Sequence, residues 1–268
     1  MNLSRERDEA VAAARAAGRL LMEHLGAIEQ RHIDRKGAAD FVTFVDKSSE
    51  RLIIGRLAAA FPEDSFYAEE SSRAAAGGRR WIIDPLDGTT NYIHGIAVFS
   101  IAIALEVEGE IVFGLVLDQV HDELFMAEKG GGALRNGERI RVSLVIDPSL
   151  ALLATGFPFK QKHNLGKYLA SFEELFQQVS GIRRMGSAAL DLCNVACGRY
   201  EGFWELGLAP WDVAAASLIL QEAGGRITDF SGGGQAIWSG HVLASNGHLH
   251  ELLLTAARRH LATLMTAG

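Results

Sequence analysis

Cysteine is scarce in this sequence: two of the 268 residues, Cys193 and Cys197, lie four positions apart within SAALDLCNVACG. That spacing places both on one face of a predicted helix, beside apolar neighbours. A zinc site would need further ligands at a suitable spacing, and the neighbouring sequence supplies none. We therefore predict two small core residues in a protein of a reducing compartment.

Long apolar runs are also missing. Stretches such as 111–117 are too short to cross a bilayer, and the arginine-containing N-terminus lacks the uninterrupted apolar core of a secretory signal. We therefore expect a cytoplasmic protein with no attachment to a membrane.

Positive charge is in deficit, with 26 Lys and Arg against 33 Asp and Glu, a formal net charge of −7. Because no run of basic residues stands out, we expect no direct binding of nucleic acid through a broad basic surface. What the chain does have is apolar residues, 48% of the total, which is enough for a sizeable core.

The apolar periodicity changes along the chain and predicts its elements. Helices are predicted at 4–26, after Asp46, and at 164–178, 188–196, 212–222 and 248–264. Strands are predicted at 40–45, 65–68, 99–107, 111–117, 124–128, 150–155, 181–185, 200–205, 226–230 and 242–244. This order predicts a layered α+β fold, an αβαβα sandwich. An N-terminal antiparallel sheet with helices, residues 1–145, would precede a smaller mixed α/β part, residues 146–268, in one compact catalytic unit.

The glycine-rich segment KGGGALRNG, residues 129–137, is interpreted as turn chemistry. It lacks the Gly-Lys-Ser/Thr ending of a phosphate-binding P-loop. Its Asn136-Gly137 pair tolerates positive φ and predicts a hairpin.

Acidic residues stand where apolar runs end. In WIIDPLDGTTNY, residues 81–92, Asp84 and Asp87 lie three apart around a proline, and carboxylates this close repel unless a cation joins them. Further acids in such positions are Glu69 and Glu70 after SFYA, Glu205 after GFW, and Asp212 after Pro-Trp. Hard oxygen ligands suit Mg²⁺ or Mn²⁺, so the group predicts a site for a divalent metal.

Each acid taken singly also has an ordinary explanation. Asp212 could cap the helix that follows, Asp87-Gly88 could form a turn, and Glu69-Glu70 could be a solvated corner. The metal interpretation is preferred for the group, because Asp84-Pro-Leu-Asp87 forces two carboxylates together. The following Gly88-Thr89-Thr90, at a predicted helix start, offers backbone N–H groups to an anion. Carboxylates beside such amides predict a metal-assisted phosphatase site.

Two long motifs carry a resemblance, WIIDPLDGTTN at 81–91 and WDVAAASLILQEAGG at 211–225, with support from AEES at 68–71 and RRMGSAALDL at 183–192. With them the chain resembles the inositol monophosphatase family, within the lithium-sensitive, magnesium-dependent phosphatase superfamily, over essentially its full length. The resemblance is closest to bacterial members. It implies a Mg²⁺-dependent phosphomonoesterase acting on inositol 1-phosphate and related polyol or sugar phosphates, a homodimer, and inhibition by lithium.

The resemblance also implies roles for the acids. Glu69 would bind a metal and orient the water, and Asp84 would bridge two metals. The backbone carbonyl of Leu86 would bind the first metal, and Asp87 and Asp212 would complete the second.

For the reaction itself, the resemblance implies direct attack by water without a phosphoenzyme. Thr89, helped by Asp46, would position the water, and the amides of Gly88 and Thr89 would hold the phosphate. Lys36 would help at the metal or the phosphate. The implied substrate-contacting set is Lys36, Leu86, Asp87, Gly88, Thr89, Arg183, Ser187, Ala188, Glu205 and Asp212.

The identity of the substrate stays open. Whether Arg183 contacts the substrate is left open. Arg183-Arg184 could favour a second phosphate, although Arg184 could equally be a surface charge. Fructose 1,6-bisphosphate, histidinol phosphate or a phosphorylated nucleotide are alternative substrates. A different class of function is also open, a protein that binds the transcription machinery and in which catalysis is secondary.

Overall fold

The computed structural model describes residues 2–28, 33–37, 40–71 and 78–261, without the side chains of 33–37, 40, 41 and 160. The side chain of Lys36 lies outside this part, so its contact with metal or phosphate stays a prediction. The helices are α1 (Ser4–His24), α2 (Phe44–Ala60), α3 (Thr89–Ile93), α4 (Leu165–Phe176), α5 (Ala188–Ala196), α6 (Pro210–Glu222), α7 (Ala236–Ser239) and α8 (His250–Leu261). The strands are β1 (Ile33–Gly37), β2 (Asp40–Thr43), β3 (Ser65–Ala68), β4 (Arg79–Asp87), β5 (Ser100–Val107), β6 (Glu110–Asp118), β7 (Glu123–Glu128), β8 (Gly132–Arg135), β9 (Glu138–Arg139), β10 (Leu152–Thr155), β11 (Gly181–Arg183), β12 (Gly202–Leu206), β13 (Arg226–Thr228) and β14 (His241–Ser245).

Sheets and helices alternate in five layers in the described part of the chain. The seven-stranded sheet has the order β3-β4-β5-β6-β7-β8-β9, and the five-stranded sheet has the order β11-β10-β12-β14-β13. Helices α1 and α2 cover the outer face of the first sheet, α5 and α6 lie between the sheets, and α4 and α8 cover the second sheet. The predicted layered α+β fold is therefore confirmed.

The first sheet is antiparallel except at one edge. Strand β3 runs parallel to β4, whereas the other neighbouring strands of this sheet pair antiparallel. The second sheet is mixed, because β10 is parallel to β11 and β12 while β14 is antiparallel to its neighbours. The parallel edge brings the ends of β3 and β4 to the same side.

The first sheet is buried on both faces and sorts its residues by size. In β5, Ile101, Ile103 and Leu105 join the cluster under α1 and α2, whereas Ala102 and Ala104 join the cluster around α6. Because neither face meets solvent, these strands appear in the sequence as continuous apolar runs.

One boundary near the site differs from the prediction. Helix α2 begins at Phe44 rather than after Asp46, because Thr43 caps it: its Oγ1 accepts from Val45 N at 3.1 Å, and the Asp46 carboxylate accepts from Thr43 N at 2.9 Å. Strand β4 ends in the two aspartates and runs to Asp87, with a register shift against β5 between Asp84 and Asp87.

The turn interpretation of the glycine-rich segment is confirmed. Asn136 and Gly137, with φ of 51° and 84°, connect β8 and β9 in a hairpin. Cys193 lies on α5 and Cys197 directly follows it as the C-cap; both are free thiols, Cys193 buried and Cys197 half-buried. No helix in the described ranges is long and apolar enough to span a membrane.

One glycine allows the middle helix layer to touch the first sheet. A Cβ at Gly114 of β6 would collide with the backbone of Ala215 in α6. We predict that Gly114→Ala lowers the free energy of unfolding by about 2 kcal/mol, because the extra methyl overpacks a buried contact. Urea unfolding checks this, with Gly55→Ala as the control. Gly55 lies exposed in α2 with open space around it, so that change should stabilise by about 0.5 kcal/mol. Equal effects of the two changes would contradict the contact.

A buried histidine should make stability depend on pH. His250 is fully buried between Thr228 Oγ1, 3.0 Å from Nε2, and Ser245 Oγ, 2.9 Å from Nδ1. Burial, with a smaller contribution from Arg226, lowers the pKa of His250 to about 4. Below an unfolded-state pKa of about 6.5 the unfolded chain takes up a proton that the folded protein refuses until about pH 4, so the free energy of unfolding falls across this window.

We predict that wild type loses about 2 kcal/mol more than His250→Gln between pH 7.5 and pH 5, measured by urea unfolding at both values. The comparison of the two proteins cancels the other titrating groups. Parallel pH profiles for both would show that His250 has an ordinary pKa.

Candidate active site

Two acids from separate motifs meet at the parallel edge of the first sheet. Ala68 of β3 pairs with Ile83 of β4, so Glu69 and Asp84, the next residues on each strand, lie side by side. The Glu69 N–H donates to the Ile83 carbonyl at 3.2 Å and continues this pairing.

Asp84 is the electrostatic centre of the site. Its side chain is 1% exposed, and burial raises its pKa well above the usual range, with the carboxylates of Glu69, Asp87 and Asp212 raising that pKa further. The hydrogen bond from Leu86 N to Asp84 Oδ1, 3.0 Å, acts in the opposite direction. Four of the acids that the sequence singled out thus share one electrostatic environment.

Asp87 ties the end of β4 to the start of α5. Its Oδ2 accepts from Ser187 Oγ at 2.5 Å, from Ala189 N at 2.9 Å and from Ser100 Oγ at 3.4 Å. Burial raises the pKa of Asp87, and these hydrogen bonds offset part of that rise. Ser187 was expected beside the alcohol of the substrate. In the structure its hydroxyl instead donates to Asp87.

A hydroxyl links Asp46 to the strand end. Thr89 Oγ1 lies 3.1 Å from Asp46 Oδ1 and 3.1 Å from the Leu86 carbonyl oxygen. Asp46 Oδ2 accepts from Thr43, 2.6 Å from its Oγ1. Burial raises the pKa of Asp46 above its ordinary value although these hydrogen bonds lower it.

Gly88 makes the turn between β4 and α3. Its φ is 94°, and a Cβ there would lie 3.0 Å from the Val98 carbonyl and 3.2 Å from that of Gly186. Both the left-handed conformation and the tight space require glycine at this position.

Asp212 satisfies both explanations that the sequence left open. It lies in the first turn of α6 and accepts from Ala209 N at 2.7 Å, as a capping residue does. Its carboxylate also raises the pKa of Asp84. The same side chain therefore both caps α6 and belongs to the acidic group.

A cavity of about 150 Å³ opens beside the acids. Asp87, Ala188, Glu205 and Asp212 line it, all expected from the sequence. The Glu205 carboxylate lies against Gly156, where a Cβ would overlap it. The cavity therefore joins the acidic group to the carboxylate of β12.

The structure places Arg184, not Arg183, on the cavity wall. Arg183 is exposed, and its Nη1 lies 3.5 Å from the carbonyl of its neighbour Ile182. Arg184 is exposed as well, but it also lines the cavity, and whether either arginine contacts the substrate stays a prediction.

Several residues of the site were not predicted from the sequence. Ser100 reaches Asp87, Phe157 and Phe159 line the cavity, and the Asn91 amide donates to the Val98 and Met185 carbonyls, each at 2.8 Å. The one available signal was the single hydroxyl of Ser100 directly before five apolar residues, 101–105. For the phenylalanines no sequence signal distinguished a cavity wall from core.

The donor types around Asp84 fit a hard divalent cation. They are carboxylates and one backbone carbonyl, the oxygen ligands that Mg²⁺ prefers, and a cation would offset the charge gathered about a buried acid. Within the described ranges, no three acidic, histidine or cysteine side chains already form a closed ligand set.

A family model described as the inositol monophosphatase family matches residues 2–262. The chain belongs to the inositol monophosphatase family. The resemblance seen in the two motifs is confirmed, and with it the assignment as a phosphatase enzyme.

Relatives and solved structures agree with this membership. The chain is 44% identical over 251 residues to an inositol-1-monophosphatase of Rhizobium meliloti, covering 93% of this chain and 94% of the relative. It is 43% identical over 258 residues to the Nus factor SuhB of Pseudomonas aeruginosa, covering 94% and 95%. The crystal structure of extragenic suppressor protein suhB from Bartonella henselae superimposes with a TM-score of 0.92 at 41% identity, covering 96% of this chain and all of the other.

Replacing the central acid should stabilise the metal-free protein. We predict that Asp84→Asn raises the free energy of unfolding in chelator at pH 7.5 by about 1–3 kcal/mol. A neutral amide avoids the cost of burying a charge and the repulsion from the neighbouring carboxylates. Asp118→Asn is the matched control. Asp118 is also buried, but it accepts from Val120 N and His121 N, each at 3.0 Å, and is 2.8 Å from His121 Nδ1. That change should destabilise, and a similar loss for Asp84→Asn would argue against a strained acidic group.

Proposed function

We propose that the chain is a Mg²⁺-dependent phosphomonoesterase that hydrolyses inositol 1-phosphate and related polyol or sugar phosphates by direct attack of water. The observation that carries this proposal is buried Asp84 among three further carboxylates, next to a cavity that reaches Glu205. Relatives named inositol-1-monophosphatase support the substrate class.

The proposed metal ligands are Glu69, Asp84, the Leu86 carbonyl, Asp87 and Asp212. Bound Mg²⁺ would supply Lewis-acid polarisation and would neutralise charge on the phosphate and the leaving oxygen. Ser187 and Ala189 hold one oxygen of Asp87, so its carboxylate is oriented before any ligand arrives.

Thr89 and Asp46 are proposed to orient and deprotonate the attacking water. The Thr89 hydroxyl can donate to Asp46 while its lone pairs accept from water, which makes a relay of two hydrogen bonds. Because burial raises the pKa of Asp46, this carboxylate accepts a proton more readily than an exposed aspartate does.

The remaining groups would bind the two ends of the substrate. Backbone N–H groups of Gly88 and Thr89, at the start of α3, would donate to phosphate oxygens. Glu205 and Ala188 would contact the alcohol, with the carboxylate accepting from its hydroxyls. A homodimer and lithium inhibition at the second metal position are proposed on the family resemblance.

Catalysis should depend on the Thr89 hydroxyl. We predict that Thr89→Val lowers kcat on inositol 1-phosphate at least about 100-fold, because it removes the relay but keeps the side-chain shape. Phosphate release is measured with and without Mg²⁺ on inositol 1-phosphate, glycerol 2-phosphate, fructose 1,6-bisphosphate, histidinol phosphate and adenosine 3′,5′-bisphosphate.

The control is Thr90→Val, at the exposed neighbouring residue, which should keep activity within about threefold. A preference for another ester would keep the chemistry and change the substrate. Equal activity of the two variants, or release that does not need Mg²⁺, would reject the proposal.

The names of relatives favour a second candidate. Relatives named Nus factor SuhB, at 43% and 41% identity, support a role as a binding partner of the transcription machinery. If this role is independent of catalysis, Thr89→Val should co-elute with purified RNA polymerase as wild type does. Absence of co-elution for both proteins, beside Mg²⁺-dependent hydrolysis by wild type, would leave the enzyme proposal alone.

A further inference from the structure

The outer wall of the cavity is an arginine placed on two phenylalanine rings. Arg184 Cζ lies 5.0 Å from the ring centroid of Phe159 and 5.9 Å from that of Phe157. The two rings meet edge to face with their centroids 6.0 Å apart. Cation–π attraction acts within about 6 Å of a ring centroid, so both rings hold the guanidinium although it is exposed.

The support beneath Arg184 reaches the core. Phe157 packs edge to face on Tyr168, with centroids 5.4 Å apart, and Tyr168 is fully buried with its hydroxyl 2.8 Å from Thr155 Oγ1. On another side, a Cβ at Gly186 would lie 2.5 Å from Arg184 Nη1, so the guanidinium lies over bare backbone. Ring contacts and backbone together restrict where the charge can lie.

The charged residues on the cavity wall have different roles. Among the residues that the structure describes, four charged ones line the cavity, namely Asp87, Glu205, Asp212 and Arg184. In the proposed function Asp87 and Asp212 bind metal, which leaves Glu205 and Arg184 to face the alcohol. A hydroxyl can donate to Glu205 and accept from Arg184, whereas an ammonium group attracted by Glu205 is repelled by Arg184.

We propose that Arg184 is a specificity-determining residue that selects phosphate esters of neutral, hydroxyl-rich alcohols over esters whose alcohol carries a positive charge. The inference rests on the proposed function and deepens it by naming the charge class of the substrate. The inference does not involve the phosphate or the metal ligands, because Arg184 lines the cavity on the side of Phe157 and Phe159.

A matched pair of sugar phosphates tests the inference. Glucose 6-phosphate and glucosamine 6-phosphate differ in one hydroxyl, which is an ammonium group in the second. Each is used as a competitor of inositol 1-phosphate hydrolysis, and the ratio of their inhibition constants cancels effects on phosphate and metal binding. We expect wild type to bind the neutral sugar more tightly, and Arg184→Met to reduce this preference about fivefold.

Two further variants make the test specific. Arg184→Lys keeps the charge and should keep most of the preference. Arg183→Met removes the same charge one residue away, outside the cavity wall, and should change the ratio by less than about twofold. Fructose 1,6-bisphosphate is included as a competitor with a second anionic group.

The outcomes separate this inference from the function on which it rests. No Mg²⁺-dependent release from any ester would reject the proposed function and the inference with it. Hydrolysis with the same sugar preference in Arg184→Met and Arg183→Met would reject the inference alone. A selective loss of fructose 1,6-bisphosphate binding in Arg184→Met, with the sugar ratio unchanged, would also overturn it in favour of a site for a second phosphate.

Discussion

The structure depends on the repulsion gathered around one buried carboxylate. Asp84 cannot turn to solvent, because β4 is covered by helices on both faces, and Glu69, Asp87 and Asp212 surround it with like charge. Removing several carboxylates from water without a cation costs several kcal/mol per ion, so the arrangement is stable only with a compensating partner or with protons retained. The acidic group therefore requires a compensating positive charge, and in the proposed function Mg²⁺ supplies it.

Helix starts hold this group in place. Asp46 and Asp212 each accept a backbone N–H at the beginning of a helix, and Asp87 is tied to the first turn of α5. The same side chains that end strands or cap helices thus point into the site. Because these contacts fix both the backbone and the side-chain direction, Asp46, Asp87 and Asp212 are oriented by regular secondary structure.

Much of the fold follows from local patterns. Apolar periodicity found most of the helices and strands within a few residues, since both depend on short stretches of sequence, but it missed β1 and α7. The predicted start of α2 was wrong, because a capping threonine decides it. The acids of the site could be named, since each ends an apolar run, but their roles as ligands stay predictions.

The order of residues alone determined the apolar runs, the turns and the family, and it singled out the acids that gather at the site, because these features lie within short segments. Only the tertiary structure decided which arginine faces the cavity and that Ser187 binds Asp87. The same holds for Phe157 and Phe159, which support Arg184. Neighbouring residues such as Arg183 and Arg184 have the same chemistry in sequence. Backbone geometry sends their side chains in different directions, and that geometry is set by contacts between segments far apart in the chain.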